Sequence, residues 1–243
     1  MPEDHFGESV AARYDESSPE MFGPEAVDPV VDLLAGLAGD GAALELGIGT
    51  GRIAVPLAER GVAVHGIDLS EAMVARLHAK PGGERIPVAI GDFATTTVDG
   101  EFTVAYLVFN TIMNLTTQDE QVLCFRNVAD HLRPGGYFVI EVGVPSLRRL
   151  PPGETVIAFR VEPTRLGFDE FDVAAQRLIS HHYRVEADRL EVNSVPFRYV
   201  WPAELDLMAR LAGMVLRDRW AGWKGEPFTS ESEKHVSVWE KSA

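Results

Sequence analysis

The chain has 243 residues, 46% of them hydrophobic and 24% charged, values near those of soluble globular proteins that exclude a disordered or collagen-like chain. Its 37 acidic and 22 basic residues leave a formal charge of −15, which repels phosphate backbones and anionic lipid surfaces and so disfavours nucleic acid and membrane as partners. The single cysteine, Cys124, excludes an internal disulfide and a thiolate metal cluster and suits a reducing compartment.

No stretch approaches the roughly twenty apolar residues of a membrane span. Met1-Pro2-Glu3-Asp4-His5 is acidic where a secretory signal is basic and then apolar. The expected location is the cytoplasm. The first twenty residues are polar, with Phe6, Tyr14 and Phe22 spaced through and beyond them. From Pro24 the apolar steps Val27, Val30, Val31, Leu34, Leu37 and Ala38 predict a helix that Gly39-Asp40-Gly41 stops. Ala42 to Leu46 reads as a short buried strand, followed by Gly47-Ile48-Gly49-Thr50-Gly51 and a helix to Arg60. Val62 to Asp68 is a second strand, and Ser70 caps a helix to about Lys80. Pro87 to Ile90 and Phe102 to Phe109 are the third and fourth strands. Thr117 and Glu120 form a capping box for a helix through Leu132, and Pro134-Gly135-Gly136 turns the chain into a fifth strand, Tyr137 to Val142.

Buried strands alternating with helices predict a parallel sheet with right-handed crossovers. Beyond residue 144 the pattern changes. Thr155 to Val161, Gly167 to Val173, Arg177 to Glu186 and Arg189 to Asn193 follow one another without helices, the mark of an antiparallel insertion. Pro202 then opens a helix that Gly213 ends, and strands near Met214 to Trp220 and His235 to Glu240 close the chain. The expected parts are an N-terminal lid and helix (1–40), a core (41–144), an insertion for substrate or dimer contact (145–200), and a helix and strand pair completing the core (201–243).

The glycine loop between a strand and a helix lets a ligand lie against bare backbone. Its spacing is G-x-G-x-G with Arg52 next, whereas a dinucleotide fingerprint needs a small residue there. A nicotinamide oxidoreductase is therefore the weaker alternative. Asp68, at the end of the second strand, can accept both hydroxyls of a ribose. Asp92 can accept from an adenine amino group, with Phe93 or Leu69 against the base. Features on three successive strand ends share one rim, where ligands of open α/β sheets bind.

Glu45 to Gly51, Ile67-Asp68-Leu69-Ser70, Gly91-Asp92-Phe93 and Leu132 to Gly136 resemble the motif series of class I S-adenosylmethionine-dependent methyltransferases of the small-molecule type. The resemblance implies an α/β, Rossmann-like, seven-stranded, mostly parallel sheet whose last strand is antiparallel. It implies S-adenosyl-L-methionine as cofactor and methyl transfer to O, N or C of a small molecule by in-line displacement. It places Glu45, Gly47 and Gly49 at the methionine side, Asp68 at the ribose, Asp92 and Phe93 at the adenine, and Tyr14 in a closing segment, with Gly51 and Leu69 in the cofactor set. Asn110 joins the cofactor set, but Asn110-Thr111-Ile112-Met113 departs from the Asn-Pro-Pro-Tyr of enzymes that methylate amide or exocyclic amino nitrogens. A methyltransferase-like protein without activity, acting as a binding or regulatory partner, is the other alternative.

For an acceptor's proton the candidates are His181, His182 and Tyr183 in the insertion, with Asn110 and Glu141 on the core side. Alternation puts His181 with Ile179, Tyr183 and Val185 on a half-buried face, and His182 with Leu178, Ser180 and Arg184. No His pairs with Cys or Glu at metal-ligand spacing. The insertion's edges are places a second subunit can cover.

Overall fold

The computed structural model describes residues 7–17, 19–186 and 189–242; Phe6 lies outside them. Short helices α1 (Glu8–Ala11) and α2 (Tyr14–Ser17) precede α3 (Pro24–Ala38), which starts on Pro24 and ends where Gly39 turns to φ +54°. The core then alternates as expected: β1 (Ala43–Leu46), α4 (Ala54–Glu59), β2 (Val64–Asp68), α5 (Glu71–His78), β3 (Val88–Ile90), β4 (Phe102–Leu107), α6 (Gln118–His131) and β5 (Leu132–Gly143). Ser70 Oγ accepts from the Met73 amide, and both halves of the Thr117–Glu120 capping box form. The insertion is four strands, β6 (Val156–Glu162), β7 (Arg165–Asp172), β8 (Arg177–Glu186) and β9 (Arg189–Arg198), and α7 (Pro202–Leu211), β10 (Met214–Trp220) and β11 (Lys234–Lys241) follow.

The main sheet has seven strands in the order β10-β11-β5-β4-β1-β2-β3, with β11 antiparallel to both its neighbours. Helices α3, α4 and α5 cover one face around Val31, Leu34, Leu57 and Leu77. Helices α6 and α7 cover the other around Phe125, Val128, Leu205 and Met208. The chain leaves β1 for β2 and β3 on one side and returns to β4 and β5 on the other, so the switch point lies at the carboxyl ends of β1 and β4. Among the described residues no helix is long and apolar enough to cross a membrane.

Several boundaries differ by a residue or two from the sequence reading, and three differences have a clear structural cause or consequence. The fourth strand stops at Leu107, because Phe109 (φ +57°) and Asn110 (φ +63°) take the left-handed conformation. The fifth strand begins at Leu132, which pairs with Phe102 before Pro134-Gly135-Gly136 shifts the register to Val104 and Tyr137. Strand β9 runs on to Arg198, whose residue pairs with Arg177 in a full-length ladder on β8.

The insertion forms its own antiparallel sheet, in the order β6-β7-β8-β9. Opposed residues share a face, so Leu178 on β8, Phe171 on β7 and Phe197 on β9 point together. Phe171 and Leu178 pack with Tyr199 against Met113, Leu147 and Leu150, seating this inner face on the rim beside the switch point.

Candidate active site

The glycine loop after β1 is tied to β2 by Gly47 N–H and Ile48 N–H, both donating to the Ile67 carbonyl at 2.8 and 3.1 Å. Gly47 has φ +67°, and a β-carbon there would stand 2.6 Å from Thr111 Cγ2, so the loop approaches the segment after β4 as closely as bare backbone permits. Gly49 has φ +55°, yet a β-carbon would meet nothing nearer than Met73 Cε at 3.6 Å. Space beside Gly49 is open; that cradle is what a bound molecule would fill. Gly51 instead packs on Leu77, whose Cγ a β-carbon would meet at 2.9 Å.

Asp68 closes the next strand. Its Oδ2 accepts from the Gly49 amide at 2.6 Å and its Oδ1 from the Ser70 amide at 2.9 Å. One carboxylate thus aligns the loop and starts α5, and with two lone pairs on each oxygen it retains acceptor capacity. Asp92, after β3, holds its own turn through the Ala94 amide at 2.8 Å. Phe93 is 8% exposed and packs into the core beneath α6, while Leu69 is half-buried on the rim. Of these two side chains, Leu69 is the more open to the rim.

Glu45 lies under the loop. It is buried, accepts from the Tyr106 hydroxyl at 3.0 Å, and also bonds the Ala54 amide. Burial is the main reason its carboxyl is pushed up to about 8; the Tyr106 bond and the Arg52 charge work against that rise.

The segment after β4 is held in its left-handed turn from β5. Glu141 Oε2 accepts from the Phe109 amide at 3.1 Å, the Glu141 carbonyl accepts from the Asn110 amide at 3.1 Å, and Asn110 Oδ1 accepts from the Gly143 amide at 2.7 Å. Lys234 Nζ pairs with Glu141 Oε1 at 3.2 Å. Two successive non-glycine residues at positive φ are strained, and such strain concentrates at functional sites. Its effect here is to present the exposed Phe109 ring at the rim, where the Arg52 guanidinium lies 5.6 Å over it.

The N-terminal helices close over this arrangement. Asp15 accepts from Thr50 Oγ1 at 2.6 Å and pairs with Lys80 Nζ at 2.6 Å, while Lys80 also donates to the Thr50 carbonyl at 2.7 Å. Arg52 donates to the Met21 carbonyl at 3.3 Å. Tyr14 comes to rest near Arg52, Asp15 and Asp68, and burial raises its hydroxyl above the ordinary value. Across the cleft Arg13 reaches Glu191 on β9 at 3.8 Å.

That contact locates the inner face of the insertion. Glu191 pairs with Arg184, and Leu178, on the same face of β8, sits on the core. His182 stands on this face between these levels, about 13 Å along the strand from Leu178 at 3.3 Å per residue. Beside it are Ser180, whose Oγ is 3.2 Å from His182 Nε2, and Asp169, directly opposite Ser180 on β7. His181 and Tyr183 point to the outer face. His181 is held there by Ser194 Oγ at 2.8 Å and Glu170 Oε2 at 3.4 Å, and the Tyr183 ring stacks on Phe168. On the face expected to be half-buried, His181 and Tyr183 are half-buried but Ile179 and Val185 are exposed, and that face is the one turned away from the core.

Sequence reasoning therefore brought the loop, Asp68, Leu69, Asp92 and Tyr14 to one rim, and separated correctly the two parities of β8. It missed Asp15, Arg52 and Asp169. Asp169 had a signal: once the hairpin turn is set between Asp172 and Arg177, Asp169 must fall opposite Ser180. Two open hollows, of about 500 and 400 Å³, lie at the amino ends of the strands, around Gly41 and Arg133 and around Val64 and Pro87; neither touches the loop. Among the described residues no three His, Cys, Asp or Glu converge as a metal-holding group.

Residues 43–136, which span the loop and all three rim segments, match the model of a methyltransferase domain family. The whole chain is similar to the solved CcbJ methyltransferase from Streptomyces caelestis, at 35% identity and a TM-score of 0.85 over 99% of this chain and 100% of that one. It is also similar to the cypemycin N-terminal methyltransferase of a Streptomyces species, at 29% identity over 205 residues and 82% of each chain. Its fold matches that of the S-adenosylmethionine-bound amino pentose methyltransferase CalS10 from Micromonospora echinaspora, at a TM-score of 0.67 over 88% of this chain and 89% of that one, with 21% identity. A likeness running the length of the molecule, on a loop whose one open cradle lies between Asp68 and the switch point, places the chain in a single family: it belongs to the class I S-adenosylmethionine-dependent methyltransferases and uses S-adenosylmethionine to transfer a methyl group.

Proposed function

We propose that the acceptor is a small molecule and that the methylated atom is an amine nitrogen. The observation carrying this reading is the charge of the cleft. Asp68 and Asp92 stand at the strand ends on its core side and Asp169 on its insertion side, in a chain of net charge −15, while Asp15 above them is neutralised by Lys80. Such a cleft concentrates cations. It suits a cationic cofactor and a protonated amine better than a phosphorylated or carboxylate acceptor. The similar cypemycin enzyme is named for methylation of an N-terminus, which agrees with an amine.

In this reading Gly47, Gly49 and Gly51 carry the methionine side of the cofactor, with Glu45 supporting the loop from below. Asp68 takes the ribose hydroxyls, and Asp92 and Leu69 the adenine. Phe93 and Asn110 shape the site through the backbone they anchor. S-adenosylmethionine supplies a methyl on a sulfonium: the nitrogen–carbon bond forms as the carbon–sulfur bond breaks and its electron pair passes to sulfur. The chain's own work is to align the amine with that methyl, exclude water and remove one proton. The segment ahead of α3 that carries Tyr14, latched by Asp15 on Thr50 and Lys80, acts as the lid. The insertion, residues 145–200, selects the acceptor with its inner face, where His182 is the member of the His181-His182-Tyr183 run that takes the proton.

The outer face of the insertion serves a second copy of this chain. Val161 is 77% exposed and Leu190 62%, with Val156, Leu166, Val185 and Val192 also exposed. These outward residues lie on all four strands, a span of apolar surface suited to burial in a two-fold contact.

The test is transfer of labelled methyl from S-adenosylmethionine to a panel of amino sugars and short peptides with free N-termini, each set against its hydroxyl counterpart. Label in the amines alone supports the proposal. Label confined to hydroxyl compounds overturns it.

A further inference from the structure

The inner face of the insertion carries a polar series that ends on His182, and its order dictates where the imidazole proton sits. Ser180 is buried and stands directly opposite Asp169 across β7 and β8, so its hydroxyl and the Asp169 carboxylate share one face. The same Ser180 Oγ lies 3.2 Å from Nε2 of His182. A hydroxyl has one proton to give. Donated to the carboxylate, it leaves Oγ as an acceptor toward His182. Nε2 must then carry the imidazole proton, and Nδ1 keeps its lone pair.

We propose that Asp169 and Ser180 are positioning residues that hold His182 as the Nε2–H tautomer, so that its Nδ1 takes the proton of the acceptor's ammonium. This rests on the amine reading above and supplies the base that reading needs. The N–H bond of the ammonium breaks with its electron pair left on nitrogen, which becomes the nucleophile. The proton passes to Nδ1 and afterwards to water. While His182 is cationic, Asp169 stabilises it through the Ser180 hydroxyl, the arrangement by which a carboxylate orients an imidazole base.

The surroundings fit. Burial lowers the His182 imidazole below its ordinary value, Arg160 and His181 push the same way, and Asp169 opposes them. The ring is therefore neutral near pH 7, the form a base requires. Burial raises Asp169, against the Ser180 hydroxyl and the charges of His182 and His181. A bulge between Ala158 and Arg160 puts Phe159 over Gly167, where a β-carbon would stand 2.3 Å from its ring, and the ring centroid lies 5.2 Å from that of His182. Bulges re-aim side chains in this way. Gly167, directly opposite His182, is what admits the ring.

The test is a long-range proton–nitrogen correlation spectrum of the full chain, uniformly labelled with nitrogen-15, with His182 assigned by its loss in His182→Gln. The expected spectrum shows His182 protonated on Nε2 and unprotonated on Nδ1 at neutral pH. Ser180→Ala should give mixed tautomers, and Asp169→Asn should lower the titration midpoint of His182 as well. His181, held on the outer face by Glu170 and Ser194, should not respond and serves as the internal control for folding. A wild-type His182 protonated on Nδ1, or one whose tautomer is unchanged by Ser180→Ala, overturns the relay. With the relay seen in the spectrum, His182→Gln should lower kcat for the amine about 100-fold with the cofactor KM unchanged; an unchanged kcat overturns the role as base. Failure of the wild type to methylate any amine would overturn the parent reading alone, since the tautomer is read without turnover.

Discussion

The two sheets of this molecule present chemistry in different ways. The parallel sheet presents its site residues at strand ends: Asp68 ends β2, Asp92 follows β3 and Phe109 follows β4, each held through a backbone amide. The antiparallel sheet carries Asp169, Ser180 and His182 in the middle of strands, fixed by one another across the ladder. A strand end is set by topology, so the switch point alone fixes its place. A mid-strand residue is set by register, where a slip of one position would exchange His182 for His181. The first arrangement suits a cofactor common to a family. The second suits an acceptor that varies, because single substitutions change it without disturbing the loop.

The largest effect should come from breaking the core side. Gly51→Val places a branched side chain at φ +77°, with its β-carbon 2.9 Å from the buried Leu77 Cγ. Overpacking and backbone strain together cost about 2–6 kcal/mol, so thermal unfolding should show a melting temperature lowered by many degrees or a chain that does not fold. Wild-type melting would mean that the loop is not what holds β1 to α5.

A middle-sized effect concerns Glu45. Its folded carboxyl titrates near 8 against an ordinary 4.5, so the folded state holds the proton more tightly than the unfolded one. The stability this contributes is complete below about pH 4.5 and is lost as pH rises towards about 8. Glu45→Gln should flatten the fall in melting temperature over that window, a difference of up to a few kcal/mol. An unaltered slope would show that Glu45 is ionised in the folded protein.

The smallest effect on chemistry belongs to the outer face. Val161→Asp combined with Leu190→Asp should shift sedimentation towards a monomer while the affinity for S-adenosylhomocysteine changes by less than about twofold. A dimer that survives both charges would mean that this apolar face is not where two copies meet.

How much of this was legible in the sequence follows the same division. Strand ends announce themselves, since Gly47 to Gly51, Asp68 and Asp92 each interrupt an apolar run. Legibility failed where tertiary contacts decide. Ile179, Tyr183 and Val185 look like an inward face, yet the apolar contact of the insertion with the core runs through Phe171 and Leu178 on the opposite face, together with Tyr199. The apolar alternation on β8 marks a surface left for another partner. Phe109 continues the apolar run of β4, and the Glu141 carboxylate and carbonyl, 32 residues beyond it, hold it and Asn110 in the left-handed region. Asp15 is one acid among many in a polar segment, and nothing local says that Thr50 and Lys80 will clasp it.

The central claim is that the core holds the cofactor and the insertion handles the acceptor, and calorimetric titration of S-adenosylhomocysteine into two variants tests it most directly. Asp68→Ala removes the acceptor of the Gly49 and Ser70 amides and, in the proposed reading, of the ribose hydroxyls, a loss of about 1.5–3 kcal/mol, and should weaken binding roughly 10- to 100-fold. His182→Ala should bind within about twofold of the wild type. Unchanged affinity in Asp68→Ala, or an equal loss in His182→Ala, would contradict the division of labour between the two sheets.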